Sequence, residues 1–211
     1  MSAFSFAVIG DPIAHSRSPL MHAAAFRTLG LSHASYRAIR VPPADLDSFV
    51  ATEAAAAGLT GFNVTVPHRR SSVPLLDRVD PGAAQVGAVN TVVRTVDGWG
   101  GFNTDVEGFG RAFDALIERA PAAQDDAPVV LLGGGGAARA VVAALCQRPG
   151  TTDVTWVTRD ATRLRDSGWP HAHAAERQRA VAQPQCLLLL HLQPRDLLAQ
   201  GLGVFDRART L

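Results

Sequence analysis

Apolar residues in the first part of the chain form short runs that alternate with stretches of helical spacing. Phe4 to Ile9 is an apolar, β-prone run that ends at Gly10, which predicts a strand entering a loop. Ser18-Pro19 then supplies an N-cap followed by proline at the first helical position, and apolar residues at helical spacing continue as far as Gly30. The pattern therefore predicts a strand, a loop and a helix in that order.

The same alternation repeats along the chain. We predict a strand at 35–39, a helix at 43–57 that stops at Gly58, and strands at 61–64 and 88–94, the last turning at Asp97-Gly98. Phe102 is expected to begin the next segment, and a helical stripe of apolar residues predicts a helix at 105–119. Alternating strands and helices favour an α/β domain with a mostly parallel sheet.

A second strand, turn and helix follow a polar linker at 121–128. The apolar run Val129 to Leu132 leads directly into Gly133, Gly134, Gly135, Gly136, Ala137 and Ala138. The spacing of Gly133, Gly135 and Ala138 matches the G-x-G-x-x-G/A fingerprint, whose glycines allow a tight turn and close approach of a pyrophosphate to a helix N-terminus. This predicts dinucleotide binding, the alternative being a flexible glycine turn.

The next predicted strand, 154–158, bears on the choice between NAD and NADP. It ends at Thr158 and is followed by Arg159 and Arg163. An acidic residue at such a strand end favours NAD, whereas a hydroxyl and two guanidinium groups suit a 2′-phosphate, so we predict NADP. The alternative is that both arginines lie on a solvated helix face. Beyond Gly168 the remaining length is too short for a complete doubly wound domain, which predicts a shortened Rossmann-like domain.

Composition excludes several classes of function. The 211 residues are 47% hydrophobic and 18% charged, and the formal net charge of +1 gives no reason to expect a nucleic acid partner. Cys146 and Cys186 lie far apart without neighbours at metal-ligand spacing, so we predict neither a disulfide framework nor a metal site. The sequence has no signal-like start and no apolar run long enough for a bilayer, so we expect a cytoplasmic protein.

Four polar, turn-rich segments carry the candidate chemistry, because each contains small hydrogen-bonding side chains and three of them also contain a charged residue. These segments are 10–19, 63–69, 87–91 and 101–105. Any one Ser, Thr or Asn in such a segment is more often a turn or capping residue. Taken together and in order, their H-S-x-S-P, N-V-T-x-P, G-A-x-N-T and G-x-N-T-D patterns resemble the substrate domain of the shikimate dehydrogenase family.

The resemblance implies a fold, a reaction and a set of site residues. The fold is an α/β substrate domain at 1–107, a shortened NADP-binding Rossmann-like domain at 108–195, and a C-terminal helix at 196–211 that returns to the substrate domain. The reaction is the NADP-linked, reversible reduction of 3-dehydroshikimate to shikimate in chorismate and aromatic amino-acid biosynthesis. The substrate contacts that it implies are Ser16, Ser18, Thr65, Asn90, Asp105 and Gln200. It leaves the choice between a monomer and a homodimer open.

The sequence departs from the family at the catalytic position. The family pattern has Lys two residues after the proline of N-V-T-x-P, whereas this chain has Arg69, and all 20 of its Lys and Arg residues are arginine. A guanidinium, with a pKa of about 12.5 or more, supplies charge but is a poor proton donor at neutral pH. Asp105 is the other implied catalytic residue. His15 and His68 could act as substitute acids, although a histidine beside such a loop is more often a packing or hydrogen-bonding residue.

Two alternatives to the leading interpretation stay open. The departure at Arg69 and the shortened cofactor domain allow a non-catalytic relative that binds shikimate, quinate or a similar acid. The same motifs also allow a quinate or aminoshikimate dehydrogenase.

Overall fold

The computed structural model describes residues 4–119, 129–148, 154–158, 172–176 and 188–191. The chain divides into two compact units, Met1–Thr104 and Asp105–Leu211. Within those described ranges, no helix is both long enough and apolar enough to cross a membrane.

The first unit contains a six-stranded mixed sheet. Its strands are β1 Phe4–Gly10, β2 Ala34–Arg40, β3 Gly61–Val64, β4 Arg78–Val79, β5 Thr91–Thr95 and β6 Gly98–Phe102, in the spatial order β2-β1-β3-β5-β6-β4. β1 pairs in parallel with β2 and β3, and β4 with β6. β5 runs antiparallel to both of its neighbours. The predicted mostly parallel α/β sheet is therefore confirmed, with one antiparallel hairpin inserted.

The helices of this unit connect the strands. They are α1 Ser18–Thr28, α2 Leu46–Ser48, α3 Ala54–Ala56 and α4 Pro81–Val86. A 3₁₀ turn at Pro43–Asp45 and a π turn at Phe49–Glu53 join α2 and α3 into one helical segment, which confirms the helix predicted there. Gly58 follows it with φ +66°, a left-handed conformation in which only glycine is unstrained, so the chain can turn into β3.

The buried core lies between the sheet and the helical segment 43–56. Phe62 on β3 meets Phe49 edge to face at 5.6 Å between ring centroids, and Trp99 on β6 at 5.2 Å. Aromatic pairs in this arrangement contribute beyond the area they bury. Aliphatic residues fill the remainder: Ala7, Ile9, Val41, Leu46, Val50, Ala54, Leu59, Val64, Val89 and Val92.

Several sequence predictions were wrong in detail in this unit. The strand predicted to begin at Ala88 begins at Thr91, because the backbone of Val89 bonds instead to the Arg69 carbonyl at 2.8 Å. Phe102 ends β6 rather than beginning a segment. α4 and β4 were not predicted, since both are too short to show a period.

The second unit contains a long helix and a four-stranded parallel sheet. α5 spans Thr104–Arg119, beginning one residue before the unit boundary, and α6 spans Gly136–Cys146. The strands are β7 Val129–Leu132, β8 Val154–Thr158, β9 Ala172–Glu176 and β10 Leu188–His191, in the order β10-β7-β8-β9. This is the 3-2-1-4 part of the Rossmann strand order. The predicted Rossmann-like unit is confirmed, although β9 and β10 were not predicted individually.

Candidate functional site

The four polar segments meet at one edge of the first sheet. β1 and β3 are parallel neighbours that end at Gly10 and Val64, so the segments after them leave from the same edge. β5 is antiparallel to β3, with Asn63 opposite Thr91, and the Asn90 carbonyl accepts the Val64 N–H at 2.8 Å. β6 returns to that edge, where Phe102 O accepts the Asn90 N–H at 3.0 Å. Sheet topology therefore brings together segments that are far apart in sequence.

Gly10 allows two of these segments to pack against each other. The Asp11 N–H donates to Val66 O at 3.1 Å, and the Thr65 N–H donates to Ile9 O at 3.0 Å. A Cβ atom at Gly10 would lie 2.7 Å from the Thr65 methyl carbon and 2.9 Å from Val66 O. Only glycine fits at this contact, because a backbone atom cannot move aside as a flexible side chain can. The loop leading to Ser16 is thereby held against the segment that carries Thr65.

Ser16 and Ser18 lie at the start of α1. Arg17 occupies the N-cap position, so the prediction that Ser18 caps the helix was wrong. Ser18 is the first helical residue, and its N–H donates to Ser16 Oγ at 3.3 Å.

Asn90 is 6% exposed and lies at the centre of a side-chain hydrogen-bond network. Its Oδ1 accepts the Thr104 N–H at 3.0 Å and the Thr91 hydroxyl at 2.9 Å. Its Nδ2 donates to Thr104 Oγ1 at 3.0 Å. A backbone N–H can only donate, so the atom facing it must be the oxygen, and the orientation of the Asn90 amide is determined. The sheet edge therefore presents a polar group of fixed direction.

Asn63 and Tyr36 extend this network, although neither was predicted from the sequence as a site residue. The Tyr36 hydroxyl donates to Asn63 Oδ1 at 2.6 Å, and Asn63 Nδ2 donates to Asn90 O at 3.2 Å and Thr91 Oγ1 at 3.1 Å. Burial raises the pKa of the Tyr36 hydroxyl to about 12, against the smaller opposing effect of the Ser18 hydrogen bond. A polar Asn inside a strand was the available signal for this role.

Arg69 and His68 follow the proline of the second segment. Arg69 is half-buried, and its Nε donates to Val64 O at 3.2 Å, which anchors the guanidinium at the end of β3. His68 is 1% exposed, and its Nε2 lies 2.6 Å from Val41 O. This placement favours the packing role for His68 over proton donation to a substrate. His15 is exposed in the loop before α1.

Asp105 lies in the first turn of α5, together with Glu107. The helix begins at Thr104, so Asp105 is its second residue rather than the cap that precedes it. Acidic side chains in a first turn interact favourably with the helix dipole, by about 0.3 to 1 kcal/mol each. Asp105 therefore has a structural role at this position in addition to the catalytic role that the resemblance implies.

The glycine turn of the second unit joins β7 to α6. Gly133 has φ +130°, Gly135 is the N-cap of α6, and Ala138 is 2% exposed. Among the described residues, none would lie within 4 Å of a Cβ added at Gly135. The first turn, Gly136 to Arg139, has no acidic side chain, so its backbone N–H groups suit a pyrophosphate. These residues fit a dinucleotide.

Trp156 on β8 contacts the glycine turn through a hydrogen bond. Its indole N–H donates to Gly133 O at 2.5 Å, and Gly133 N–H donates to Val157 O at 2.9 Å. The Arg139 guanidinium lies over the indole ring, 5.8 Å from its centroid. Of the remaining predicted cofactor contacts, Thr158 is the last residue of β8, whereas Arg159 and Arg163 lie outside the described residues, as do Gln200 and the C-terminal helix predicted at 196–211.

Comparison with known proteins identifies relatives that match up to most of the chain. A family model for the shikimate dehydrogenase substrate binding domain matches residues 8–92. A Nostoc protein named shikimate dehydrogenase (NADP(+)) is 38% identical over 202 residues, which are 92% of this chain and 68% of that protein. Matches to the curated relatives span between 35% and 68% of the relatives' own length.

Two solved structures share the fold over most of the chain. The shikimate 5-dehydrogenase of Thermus thermophilus, solved with NADP(H) and shikimate, is 35% identical with a TM-score of 0.72, covering 90% of this chain and 68% of its own. The quinate dehydrogenase of Corynebacterium glutamicum, solved with NAD, is 30% identical with a TM-score of 0.75, covering 98% of this chain and 76% of its own. From the Nostoc relative and these structures together, we conclude that the chain belongs to the shikimate dehydrogenase family.

Proposed function

We propose that this chain is an NADP-linked oxidoreductase that interconverts 3-dehydroshikimate and shikimate. The observation that carries the proposal is the convergence of the four polar segments at one sheet edge, with Asn90 fixed in orientation at their centre. Hydroxyl and amide groups held in fixed positions are what a site needs to bind a small acid with several hydroxyls. The relatives named for this activity support the assignment.

On the substrate side, the proposal assigns contacts to Ser16, Ser18, Thr65 and Asn90. Ser16 and Ser18 lie at the start of α1, where backbone N–H groups favour a carboxylate. Asn90 donates through an amide whose direction is set by Thr104. Gln200, proposed from the resemblance alone, stays a prediction.

Arg69 and Asp105 are proposed as the catalytic residues. An alkoxide develops when a ketone is reduced, and the Arg69 guanidinium, anchored through Nε to Val64 O, supplies a fixed positive charge for it. Because arginine holds its proton at neutral pH, we assign Arg69 stabilisation of charge rather than proton transfer. Asp105 would accept or orient the proton of a substrate hydroxyl.

For the cofactor, the proposal assigns the glycine turn from Gly133 to Gly136 and the first turn of α6. Ala137 and Ala138 continue the site, since small residues there let the helix approach the strand closely. Thr158, Arg159 and Arg163 are proposed for the 2′-phosphate. When bound, NADPH supplies the hydride.

The test is NADP⁺ reduction by the purified chain with shikimate, run beside the same assay with quinate and a calorimetric titration with shikimate alone. The proposal predicts shikimate-dependent turnover together with saturable binding. Turnover with quinate and not with shikimate would favour the second candidate, a quinate dehydrogenase, which the likeness to the Corynebacterium glutamicum enzyme supports. Saturable binding without turnover on either substrate would identify a non-catalytic relative.

The proposal also includes a cytoplasmic location, no nucleic acid partner, and a monomer or homodimer. A cytoplasmic location agrees with two cysteines that lie far apart in the sequence, and a net charge of +1 gives no basis for a nucleic acid partner. Sedimentation of the purified chain would distinguish the monomer from the homodimer.

A further inference from the structure

The imidazole of His68 is buried, and the direction of its hydrogen bond follows from chemistry. Its Nε2 lies 2.6 Å from Val41 O, and a carbonyl can only accept, so Nε2 carries the hydrogen and donates it. Both residues are buried, so water does not compete for this bond. A hydrogen bond in such surroundings is stronger than one at the surface, and its loss is more costly.

This bond ties the turn before Arg69 to the segment that follows β2. The His68 N–H donates to Thr65 O at 2.9 Å and so closes the turn. On the other side, the Val41 N–H donates to Gly10 O at 3.1 Å. The imidazole therefore holds the turn against a backbone segment that is itself bonded to the end of β1.

His68 and its neighbour Arg69 bond in different directions. His68 bonds to Val41, whereas Arg69 Nε donates to Val64 O at 3.2 Å and Arg69 O accepts the Val89 N–H at 2.8 Å. The backbone from which the guanidinium extends is thus held at two successive residues. A catalytic group needs support of this kind, because its own contacts fix its direction only if its backbone is also fixed.

We propose that His68 is a positioning residue for Arg69, and that its bond to Val41 O holds the turn so that the guanidinium stays where charge develops on the substrate oxygen. This inference rests on the proposed function. His68 acts through Arg69 and neither touches the substrate nor transfers a proton. Because the charge develops in the transition state, the loss of positioning should lower kcat more than it weakens substrate binding.

Three substitutions separate positioning from general stability. His68→Met fills the buried space with an apolar chain that has no donor for Val41 O. His68→Gln keeps an amide N–H that can donate to the same carbonyl, so it is the conservative variant. Ser72→Ala is the matched control, since Ser72 is fully buried in the same segment, its N–H donates to His68 O, and its Oγ has no hydrogen-bond partner among the described residues.

The measurements are the kcat of NADP⁺ reduction at saturating shikimate, and the Kd and number of shikimate sites per chain by calorimetry. We expect His68→Met to lower kcat about tenfold, because a small displacement of a catalytic group can cost up to about a hundredfold. Its shikimate Kd should stay within about twofold of wild type, with the same number of sites, since ground-state binding does not depend on the developing charge. His68→Gln should recover most of the lost kcat, and Ser72→Ala should match the wild type.

Several results would overturn the inference and leave the proposed function standing. They are a wild-type kcat in His68→Met, a loss in His68→Met that appears only in the Kd, or a kcat in His68→Gln or Ser72→Ala as low as that of His68→Met. Fewer shikimate sites per chain in His68→Met would overturn it as well, since that would indicate general loss of folding. Absence of turnover by the wild-type chain would overturn the proposed activity, and this inference with it.

Discussion

The backbone N–H of Thr104 donates to Asn90 Oδ1 at 3.0 Å, and this bond joins the start of α5 to the start of β5. Thr104 Oγ1 also accepts a hydrogen bond from Asn90 Nδ2 at 3.0 Å. Two residues fourteen positions apart therefore fix each other, and the amide presented at the sheet edge has one orientation.

Substitutions at Asn90 should separate stability from binding. Asn90→Ala leaves the Thr104 N–H and the Thr91 hydroxyl without their acceptor, so we expect it to cost about 1 to 3 kcal/mol of unfolding free energy. Asn90→Asp keeps both acceptors, loses the amide donor and adds a negative charge. It should therefore cost less stability than Asn90→Ala, yet bind shikimate more weakly because like charges repel. Urea unfolding ranks the two variants by stability, and calorimetry ranks them by affinity for shikimate. If the same variant is the weaker one in both measurements, this explanation is wrong.

Arg69→Lys should raise the kcat of shikimate oxidation. A lysine can lose its proton when burial lowers its pKa, whereas a guanidinium cannot, and a general acid or base contributes about 10² to 10⁴ in rate. We expect a gain of about tenfold or more, measured as NADP⁺ reduction at saturating shikimate. Arg70→Lys is the control, because Arg70 is the exposed neighbour and should not alter kcat. Equal kcat values for wild type and Arg69→Lys would show that Arg69 does not limit the rate.

Asp105→Asn should abolish turnover while the fold is kept. Glu107→Gln removes the other acid from the first turn of α5 and loses the same helix-dipole interaction of about 0.3 to 1 kcal/mol, together with the ion pair between Glu107 and Arg111, so it should cost at least as much stability as Asp105→Asn. Only the Asp105 variant should lose activity, because its carboxylate is proposed to handle a substrate proton. If both variants keep wild-type specific activity, Asp105 has a helix-start role alone.

Trp156→Phe should weaken nucleotide binding. Phenylalanine keeps an aromatic ring beneath Arg139 but lacks the indole N–H that bonds to Gly133 O. Loss of that bond, about 1 kcal/mol, should raise the Kd of adenosine 2′,5′-bisphosphate by about fivefold. Trp99→Phe, in the core of the first unit, serves as the control. An unchanged Kd in Trp156→Phe would show that the hydrogen bond from the indole to Gly133 O does not contribute to nucleotide binding.

Tyr36 should make stability depend on alkaline pH. Burial raises the pKa of its hydroxyl from 10.0 to about 12, so the unfolded chain loses this proton at a lower pH than the folded chain does. The stabilising contribution is complete below about pH 10 and is lost as the pH rises through about 12. Tyr36 is the only tyrosine in the sequence, and Tyr36→Phe removes this component. The difference in urea midpoint between wild type and Tyr36→Phe should therefore be smaller at about pH 11 than at about pH 9. An equal difference at the two pH values would contradict the raised pKa of Tyr36.

The sequence predicted the elements whose periodicity is local. The strand, turn and helix from Val129 to Cys146 and the helix that begins near Asp105 follow directly from apolar spacing and glycine. The antiparallel hairpin of β5 and β6 was not fully predicted, because its register depends on pairing with β3 rather than on local pattern. β9 and β10 were missed because parallel strands of this length show no distinctive alternation.

Only part of the site was predicted, because some of its residues belong to local motifs and others act through contacts between residues far apart in sequence. Asn90 and Thr65 were identified through their motifs, and the topology explains why they share one sheet edge. Tyr36 was not identified because its role depends on a contact with Asn63, which lies 27 residues away on a different strand. The capping role predicted for Ser18 was wrong because the helix begins at Ser18 itself, with Arg17 at the N-cap position.

The sheet edge around Asn90 is proposed to bind shikimate. Calorimetric titration with shikimate of the wild-type chain and of Asn90→Asp, each shown to be folded by urea unfolding, tests this binding. We expect saturable binding at one site in the wild type and at least about tenfold weaker binding in the variant, because a charged group replaces a hydrogen-bond donor. Equal affinity in the two proteins, or no saturable binding in the wild type, would contradict it.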